Sequence, residues 1–328
     1  KLVAKRPVIM HVVPTGVGAA LGGALGDAMP VNKILTHLGL LVTHPNTCNG
    51  GPLNAGNYES GEIMYVEGGA LTNFSKGHLF LEPVIGNRIG VIIDRGKEDT
   101  WALDLAQNTI NHCQSHFGFP LVGIEITEKP VGGKALRSNK SRVMLGEVEN
   151  IETVIEAGRR LVSQGAQALA IFTFIDVPFY FWLNYFAEGN FDKDDAMPNP
   201  VGTVEALISH ILSRYFGIPS AHAPLLYKND RDFLQNCGLI KNGAAAGDAA
   251  TPYYIPSVLR GLHYAPRLVS PEVLYEPDEV LRFNDVSVLI CPATAMGGIP
   301  MISANANAIP IIGVKENKTV LRVTAVKM

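Results

Sequence analysis

Residues 89–96 have the sequence IGVIIDRG, and this stretch decides the fold class. Its first five residues are apolar or glycine in unbroken succession, and three of them are isoleucine. An apolar run without alternation indicates a strand covered on both faces, and such strands are typical of parallel sheets. Charged residues begin at Asp94 and Arg95, where the strand is predicted to end. The stretch therefore predicts an α/β protein whose polar residues gather beyond the ends of buried strands.

Other parts of the chain repeat this pattern. Short runs rich in valine and isoleucine, bounded by glycine or proline, predict strands over 8–13, 39–43, 121–126, 168–174, 286–291 and 311–314. Helical spacing of apolar residues predicts helices over 101–117, 152–164 and 203–216. We expect largely parallel sheets flanked by helices. The length of 328 residues favours two closely associated lobes, 1–150 and 151–328, with a single integrated domain as the alternative.

The helices 101–117 and 203–216 end in similar sequences, FGFP at 117–120 and FGIP at 216–219. Glycine can adopt the left-handed conformation that ends a helix, and proline prevents the helix from continuing. Each junction therefore predicts a helix end followed by a strand.

Composition excludes several classes of protein. The net charge is −3 and no long basic run occurs, which argues against a nucleic-acid partner. Four widely spaced cysteines without a CxxC pair predict a reducing compartment, and no HExxH or HxH pattern indicates a metal. The most apolar stretch, 168–183, is too short and too interrupted to span a bilayer. We expect a cytoplasmic or stromal protein without a membrane partner.

A glycine-rich segment follows the first predicted strand, with Thr15, Gly16 and Gly18 at its start. Exposed N–H groups in such a turn can hold an anion, although tight packing of a turn against a helix explains the same residues. The segment has neither the lysine of a P-loop nor the GxGxxG dinucleotide fingerprint. The cofactor is therefore left unknown, and non-redox chemistry is favoured.

The second predicted strand ends in the sequence THPNTCN at 43–49, which supplies Thr43, His44, Asn46 and Asn49. A histidine at the carboxyl end of a strand can act as a general acid or base near neutral pH. The alternative is a histidine that holds the backbone of its own loop.

Carboxylates follow two further strands. Glu67 precedes two glycines in YVEGG, and Asp94 and Arg95 follow the strand at 89–93. Either carboxylate can serve as a base, and Arg95 can bind a carboxylate or phosphate through two parallel hydrogen bonds. An internal salt bridge of Asp94 with an arginine explains those residues equally well.

The densest positive charge lies in the loop 129–142, where Lys134 and Arg137 are candidate ligands of an anion. A mobile anion-binding flap and a solvated loop both fit this composition. His222 lies between two prolines and is a further candidate, whereas His210 is expected to be a surface residue because it lies off the apolar stripe of its helix. The long loop 227–256 is a candidate lid, inserted subdomain or partner surface.

Two late strands complete the set of candidates. Residues beyond their ends that can bind a substrate are Thr294, Gly297, Asn317 and Thr319, and Glu316 is a candidate proton-transfer group. Cys48 and Cys291 each lie beside a strand end, which suggests a two-thiol racemase, although buried and unreactive cysteines are the commoner case.

Several motifs together resemble a known family. They are VVPTGVGAALGGALGDA at 12–28, THPN at 43–46, YVEG at 65–68, IGVIIDRG at 89–96, ISHIL and FGIPSAHAP within 208–224, and VKENKTVL at 314–321. They are similar to an uncharacterised family of bacterial and plastid proteins that is known only as a domain of unknown function. The resemblance implies an intracellular setting and supplies no reaction, substrate or cofactor. The aromatic stretch 178–188 departs from the family's pattern.

The leading hypothesis is an enzyme that acts on a small anionic metabolite as a lyase, isomerase or hydrolase. His44 would be the acid or base, Arg95 the anion clamp, and Glu67 or Glu316 the second proton-transfer group. A ligand-binding or regulatory protein on the same scaffold is the second hypothesis. The third is an assembly factor acting through the aromatic segment 179–186, which is also a candidate homodimer contact.

Overall fold

The computed structural model describes residues 6–19, 29–48, 63–97, 100–187, 197–230, 232, 238–239, 254–276 and 278–325. Asn49 and most of the loop 227–256 lie outside the described residues, as do the side chains of Asn46 and Cys48. The predictions made for them therefore have no structural outcome.

The described strands and helices alternate along much of the chain. The strands are β1 (Val8–His11), β2 (Leu40–Thr43), β3 (Ile63–Tyr65), β4 (Phe80–Glu82), β5 (Ile89–Ile93), β6 (Leu121–Ile126), β7 (Gly133–Arg137), β8 (Met144–Val148), β9 (Ala168–Asp176), β10 (Ser220–Leu225), β11 (Arg267–Val269), β12 (Val288–Pro292) and β13 (Ile311–Val314). The helices are α1 (Met29–Leu38), α2 (Pro45–Cys48), α3 (Gly68–Ser75), α4 (Thr100–Phe117), α5 (Ile151–Ser163), α6 (Phe179–Ala187), α7 (Gly202–Phe216), α8 (Tyr254–His263) and α9 (Ile299–Ala306).

The first sheet is built from both ends of the chain. Its strand order is β13-β12-β1-β2-β3, and all neighbouring strands are parallel. In the middle strand, Met10 lies opposite Leu289 of β12 and Val42 of β2. The chain proceeds from β1 to β3 in one direction and then adds β12 and β13 on the other side of β1, so the order reverses between β1 and β12.

The second sheet is built from the middle of the chain. Its parallel part has the order β6-β5-β9-β10, and the antiparallel hairpin of β7 and β8 joins it along the end of β9. Here the order reverses between β5 and β9. A short antiparallel pair, β4 with β11, lies apart from both sheets. The strands of the second sheet fall on both sides of residue 150, so the sheets do not follow the boundary expected there.

One hydrophobic core joins the two sheets. It combines Ile9 and Leu41 of the first sheet with Val91 and Phe172 of the second, and Leu259 of α8 packs among them. Because these side chains are removed from water together, the two sheets are expected to stabilise each other. Helix α7 completes the connection, since it contacts β10 and β8 on the second sheet and α3 beside the first.

The α/β class with parallel sheets is confirmed, as are the strands at 89–93, 121–126 and 311–314. The helix ends are confirmed too: Gly118 and Gly217 have φ values of 68° and 67°, and strands follow both junctions. Most of the segment 129–142, expected to be a loop, belongs to the hairpin of β7 and β8, and its role as an anion-binding flap stays a prediction. No helix among the described residues is both long and apolar enough to cross a membrane.

Asp94 holds the second sheet together at the carboxyl end of β5. Its side chain is buried and accepts hydrogen bonds from the backbone N–H groups of Gly96 and Val131, both at 3.0 Å, and of Phe174 at 3.2 Å. Burial raises the pKa of the Asp94 carboxyl, and the three hydrogen bonds oppose that shift. These contacts take the place of the salt bridge considered from the sequence.

We expect Asp94→Ala to lower the free energy of unfolding by about 3 kcal/mol, because three buried N–H groups lose their acceptor. Urea denaturation followed by circular dichroism measures this change. The matched control is Asp104→Ala, which removes an exposed carboxylate from α4 and is expected to have little effect. Equal stability of Asp94→Ala and the wild type would contradict the structural role of Asp94.

Candidate functional site

A small polar cavity, here called the inner chamber, lies where α7 meets the carboxyl ends of β2 and β3. Its volume is about 50 Å³, which exceeds the ~30 Å³ that one water molecule occupies in the liquid. The ionisable residues that line it are His44, Glu67, Glu205, His210 and His222. The first sheet supplies His44 and Glu67, and the other three belong to α7 and β10.

A larger cavity of about 430 Å³, here called the outer chamber, adjoins the inner one. Its walls include Val12 beyond β1, Leu71 of α3, Leu207 of α7, and Ile299 and Met301 of α9. The two chambers share five lining residues: Thr15, His44, Gly68, Ala206 and His210. Because Val12 follows β1 and α9 follows β12, the outer chamber lies at the point where the strand order reverses.

Glu67 and His210 form a pair across the two sheets. The Oε1 atom of Glu67 lies 2.8 Å from Nε2 of His210, with side-chain exposures of 2% and 44% respectively. The Glu67 carboxylate also caps α3 by accepting the N–H groups of Gly69 and Ala70, each at 2.9 Å. A carboxylate fixed in this way can orient the imidazole through a hydrogen bond.

Glycines permit the close approach of His210 to α3. A β-carbon added at Gly68 would lie 3.0 Å from Nε2 of His210, and one at Gly69 would lie 3.0 Å from Cδ2. Any larger residue at either position would have to displace the imidazole. The two glycines of YVEGG thus leave room for the His210 side chain, a role that the sequence did not reveal.

A second carboxylate and imidazole also line the inner chamber. The Nδ1 atom of His222 lies 3.5 Å from Oε1 of Glu205, and its Nε2 atom lies 2.6 Å from the Thr173 hydroxyl oxygen. Among the described residues, neither Nδ1 of His222 nor Oε1 of Glu205 has a hydrogen-bond partner, although both atoms are buried. Such a buried unpaired set in a cavity is typical of a site that receives a ligand group or a water.

His44 holds the backbone rather than facing the chamber as a free imidazole. Its Nε2 atom accepts the N–H of Val13 at 3.1 Å, which ties the end of β2 to the end of β1. Burial, together with the nearby His11 and His210, lowers the pKa of the His44 imidazole to about 3. Since protonation of Nε2 would break the bond to Val13, the geometry favours the structural alternative over acid–base catalysis near neutral pH.

Polar contacts around His44 explain its neighbours. The Thr43 hydroxyl donates to the carbonyl of His11 at 2.9 Å, and the Thr47 hydroxyl donates to the carbonyl of His44 at 2.9 Å. Asn32 accepts from Nδ1 of His11 at 2.7 Å and donates to the carbonyl of Thr47 at 3.0 Å. Thr43 is therefore part of a buried network that shapes the loop.

The glycine-rich turn after β1 serves mainly to join the two sheets. Gly16 and Gly18 have φ values of 77° and 59°, and the Gly16 carbonyl accepts the N–H of Met144 at 2.8 Å. A β-carbon at Gly16 would lie 2.5 Å from the Thr203 hydroxyl oxygen. The turn thus packs against β8 and α7, and Thr15 is the member of the predicted trio that lines both chambers.

Several predicted site residues are not among those lining the two chambers. Arg95 is exposed at the end of β5, where its Nη1 donates to the carbonyl of Glu128 at 2.5 Å. Lys134 pairs with Glu149 and lines a separate cleft of about 1010 Å³ beyond β5 and β9, and the Arg137 Nε donates to the carbonyl of Arg142 at 3.3 Å. Arg95 therefore lines neither chamber with His44, because its guanidinium is bound to the backbone beyond β6.

The residues predicted beyond β12 and β13 bind each other. The hydroxyl oxygens of Thr294 and Thr319 are 2.9 Å apart, and the Thr319 N–H donates to the Thr294 hydroxyl at 3.0 Å. Asn317 is buried, whereas Gly297 and Glu316 are exposed and line neither chamber. These contacts hold the segment after β13 against the loop after β12.

The sequence missed Glu205 and His210, which lie five residues apart on α7. His210 is exposed, as expected. Its side chain contacts Glu67 and lines both chambers. The signal available was an ionisable pair on a helix that leads into the strand of His222. Within the described part of the chain, no group of three or more His, Cys, Asp or Glu side chains is arranged to hold a metal ion.

Comparison with known proteins places the chain in context. Residues 8–328 match a family described as "Protein of unknown function (DUF3326)", in agreement with the resemblance noted from the motifs. The chain is 33% identical over 312 residues to a Synechococcus protein named uncharacterized lipoprotein, covering 94% of this chain and 82% of that protein. No solved structure matches the chain.

The expectation of a cytoplasmic or stromal location requires correction. The Synechococcus relative is named a lipoprotein, and a lipoprotein is attached to a membrane through covalently bound acyl chains. Absence of an apolar spanning segment, on which the expectation rested, does not distinguish an acyl-anchored protein from an unanchored one.

We expect stability to fall as the pH drops from about 6.5 towards 3. The unfolded chain protonates His44 near pH 6.5, whereas the folded protein keeps it neutral down to about 3, so acid favours unfolding by at most about 1.4 kcal/mol per pH unit for this group. Urea titrations between pH 7 and 4 measure the slope. His44→Gln should reduce it and His116→Gln, at an exposed position on α4, should not; equal slopes in all three proteins would contradict the buried neutral His44.

The buried thiols are expected to be unreactive. Burial raises the pKa of Cys291 to about 11 and that of Cys113 to about 12, so little thiolate forms at pH 8. Iodoacetamide labelling of the native protein, read by peptide mass spectrometry, should be at least about a hundredfold slower at both positions than in urea. Native labelling of Cys291 at the unfolded rate would instead revive the two-thiol hypothesis.

Proposed function

The chain belongs to this DUF3326 family, whose description carries no activity, and we propose from the geometry of the site that it is an enzyme performing non-redox acid–base chemistry on a small molecule. The substrate would bind in the outer chamber with its reacting group at the inner chamber. His210 would transfer the proton, and Glu67 would position and stabilise the imidazole. A lyase, an isomerase and a hydrolase are all compatible with these roles.

The observation that carries this proposal is the environment of His210. Its imidazole is partly exposed, contacts a carboxylate that is almost fully buried, and lines both chambers. It also lines a third cavity of about 530 Å³ on the other side of α3. A histidine whose ring contacts a buried carboxylate and is also accessible from a cavity is typical of general acid–base catalysis.

A second carboxylate–imidazole pair lines the same chamber. Glu205 and His222 are 3.5 Å apart and are more buried than His210. A chamber lined by two such pairs can offer one bound molecule both a proton donor and a proton acceptor. Isomerisation, elimination and hydrolysis can each use a donor and an acceptor of this kind.

The position of the chambers within the fold supports the same proposal. In open α/β sheets, ligands bind outside the carboxyl ends of the strands where the strand order reverses. The outer chamber occupies this place in the first sheet, between the segments that follow β1 and β12.

The anionic substrate expected from the sequence stays a prediction. The residues lining the two chambers include no lysine or arginine among those the structure describes. The feature available to an anion is the start of α7. Its N-cap residue, Val201, supplies no side-chain hydrogen bond to the helix, and the next two residues, Gly202 and Thr203, line the chambers. Backbone N–H groups and the helix dipole favour negative charge at such a position.

A ligand-binding protein without catalysis is the second candidate. The structural role of His44 favours it, because a predicted acid–base group is instead hydrogen-bonded to the backbone. Retention of a small molecule without its conversion would distinguish the binding function from the enzymatic one.

A homodimer or assembly contact through α6 also remains a proposal. It is supported by the exposure of Phe179, Tyr180 and Leu183.

We expect His210→Asn to reduce turnover by about 10²- to 10⁴-fold, the range that a positioned acid or base contributes. The measurement incubates the protein with a defined mixture of carboxylic acids, phosphate esters and hydroxy compounds and follows consumption by mass spectrometry. Glu67→Gln should give a smaller loss, because the imidazole remains but loses its charged partner.

The matched control is His116→Asn, which makes the same change at an exposed position on α4. It should turn over substrate at the wild-type rate. Circular dichroism should give the same spectrum for all variants, so that a loss of activity reports on chemistry rather than unfolding. Wild-type turnover by His210→Asn would remove His210 from the mechanism.

A further inference from the structure

The outer chamber has apolar walls. Val12, Leu71, Leu207, Ile299 and Met301 all line it, and the polar groups of its lining include the Thr15, Thr72 and Thr203 side chains, His44 and His210. Its volume of about 430 Å³ lies within the ~300–1,000 Å³ typical of ligand-binding pockets. At the ~30 Å³ that a water molecule occupies, the chamber has room for roughly ten or more non-hydrogen atoms.

The inner chamber, by contrast, offers hydrogen-bonding atoms without partners. The Nδ1 atom of His222 and Oε1 of Glu205 are buried, lie 3.5 Å apart and have no hydrogen-bond partner among the described residues. The His222 side chain is 1% exposed, so bulk water does not satisfy it. Leaving such atoms unpaired is unfavourable, and a ligand group that forms hydrogen bonds with both removes this penalty.

A hydroxyl group suits this pair of atoms best. It can donate its proton to the Glu205 carboxylate and at the same time accept a hydrogen bond from Nδ1 of His222. The second ring nitrogen of His222 lies 2.6 Å from the Thr173 hydroxyl oxygen, and a proton donated by Thr173 to that nitrogen would leave Nδ1 carrying the N–H. A carboxylate at this position would instead meet the Glu205 carboxylate directly.

The chambers adjoin each other. Thr15, His44, Gly68, Ala206 and His210 belong to the walls of both, so a ligand lying in the outer chamber contacts residues that also line the inner one. One molecule can therefore satisfy the apolar wall and the unpaired polar atoms together.

We infer that the ligand of this site is a hydroxyl compound with an apolar body, whose hydroxyl group lies between Glu205 and His222 and whose body fills the outer chamber. This rests on the proposed function only in calling the ligand a substrate. The apolar body supplies binding free energy through burial, and the hydroxyl group fixes the orientation that brings the reacting end to His210.

The test uses straight-chain primary alcohols from ethanol to octanol as probes, with binding measured by isothermal titration calorimetry. Affinity should rise about fourfold for each added CH₂ group until the outer chamber is full. Leu207→Trp, which places a larger side chain in the chamber, should weaken octanol binding at least about tenfold and leave ethanol binding unchanged. Ala206→Leu is a gentler change at the junction of the chambers and should act in the same direction.

Leu38→Trp is the matched control, because it makes the same substitution at an exposed position on α1 and should bind octanol like the wild type. A second variant, Glu205→Gln, should weaken every alcohol by a similar factor regardless of chain length, since it changes the group that receives the hydroxyl proton. Affinity that does not depend on chain length, or equal octanol binding by Leu207→Trp and Leu38→Trp, would overturn the inference.

Failure of the proposed function has a different signature. If alcohols bind with the expected dependence on chain length but His210→Asn matches the wild type in turnover, the ligand class stands and the catalytic role of His210 is wrong. If turnover depends on His210 while alcohols show no dependence on chain length, the enzyme stands and the apolar substrate is wrong.

Discussion

The contact of Glu67 with His210 depends on α7 lying between the two sheets, and the candidate site depends on that contact. Helix α7 packs on β10 and β8 of the second sheet and against α3 beside the first. From this position it presents His210 to a carboxylate of one sheet and Glu205 to an imidazole of the other. Without the helix the two pairs would have no common chamber.

The contacts of α7 with the loops of the two sheets tolerate little change in side-chain size. An added β-carbon at Gly16 would meet Thr203 of α7. An added β-carbon at Gly68 or Gly69 would meet His210 of the same helix. Glycine allows the backbone to approach closely, which is the property usually associated with ligand loops. Here the same property brings two sheets and a helix together, and the chambers are the space that remains.

The histidines near the chambers show how the environment divides one residue type into different roles. His44 is buried with its Nε2 committed to a backbone N–H, so it remains neutral and structural. His210 is partly exposed and contacts a buried carboxylate, so its ring is oriented and also accessible from the chambers. His222 is buried with one nitrogen at Thr173 and the other unpaired among the described residues, so it can hold a ligand group.

The sequence by itself determined the α/β class, the buried parallel strands and the helix ends at Gly118 and Gly217, because these follow from local apolar patterns and from backbone preferences of single residues. It also identified Glu67, His222 and Thr15 as candidates, since each lies in or just beyond a strand. Only the tertiary structure decided which candidates meet. Arg95 and His44 follow similar strands, yet those strands belong to different sheets, and strand pairing over long separations is not encoded in local pattern. His210 showed the converse: its position on a helix surface indicated exposure, and only the packing of α7 against α3 placed Glu67 behind it.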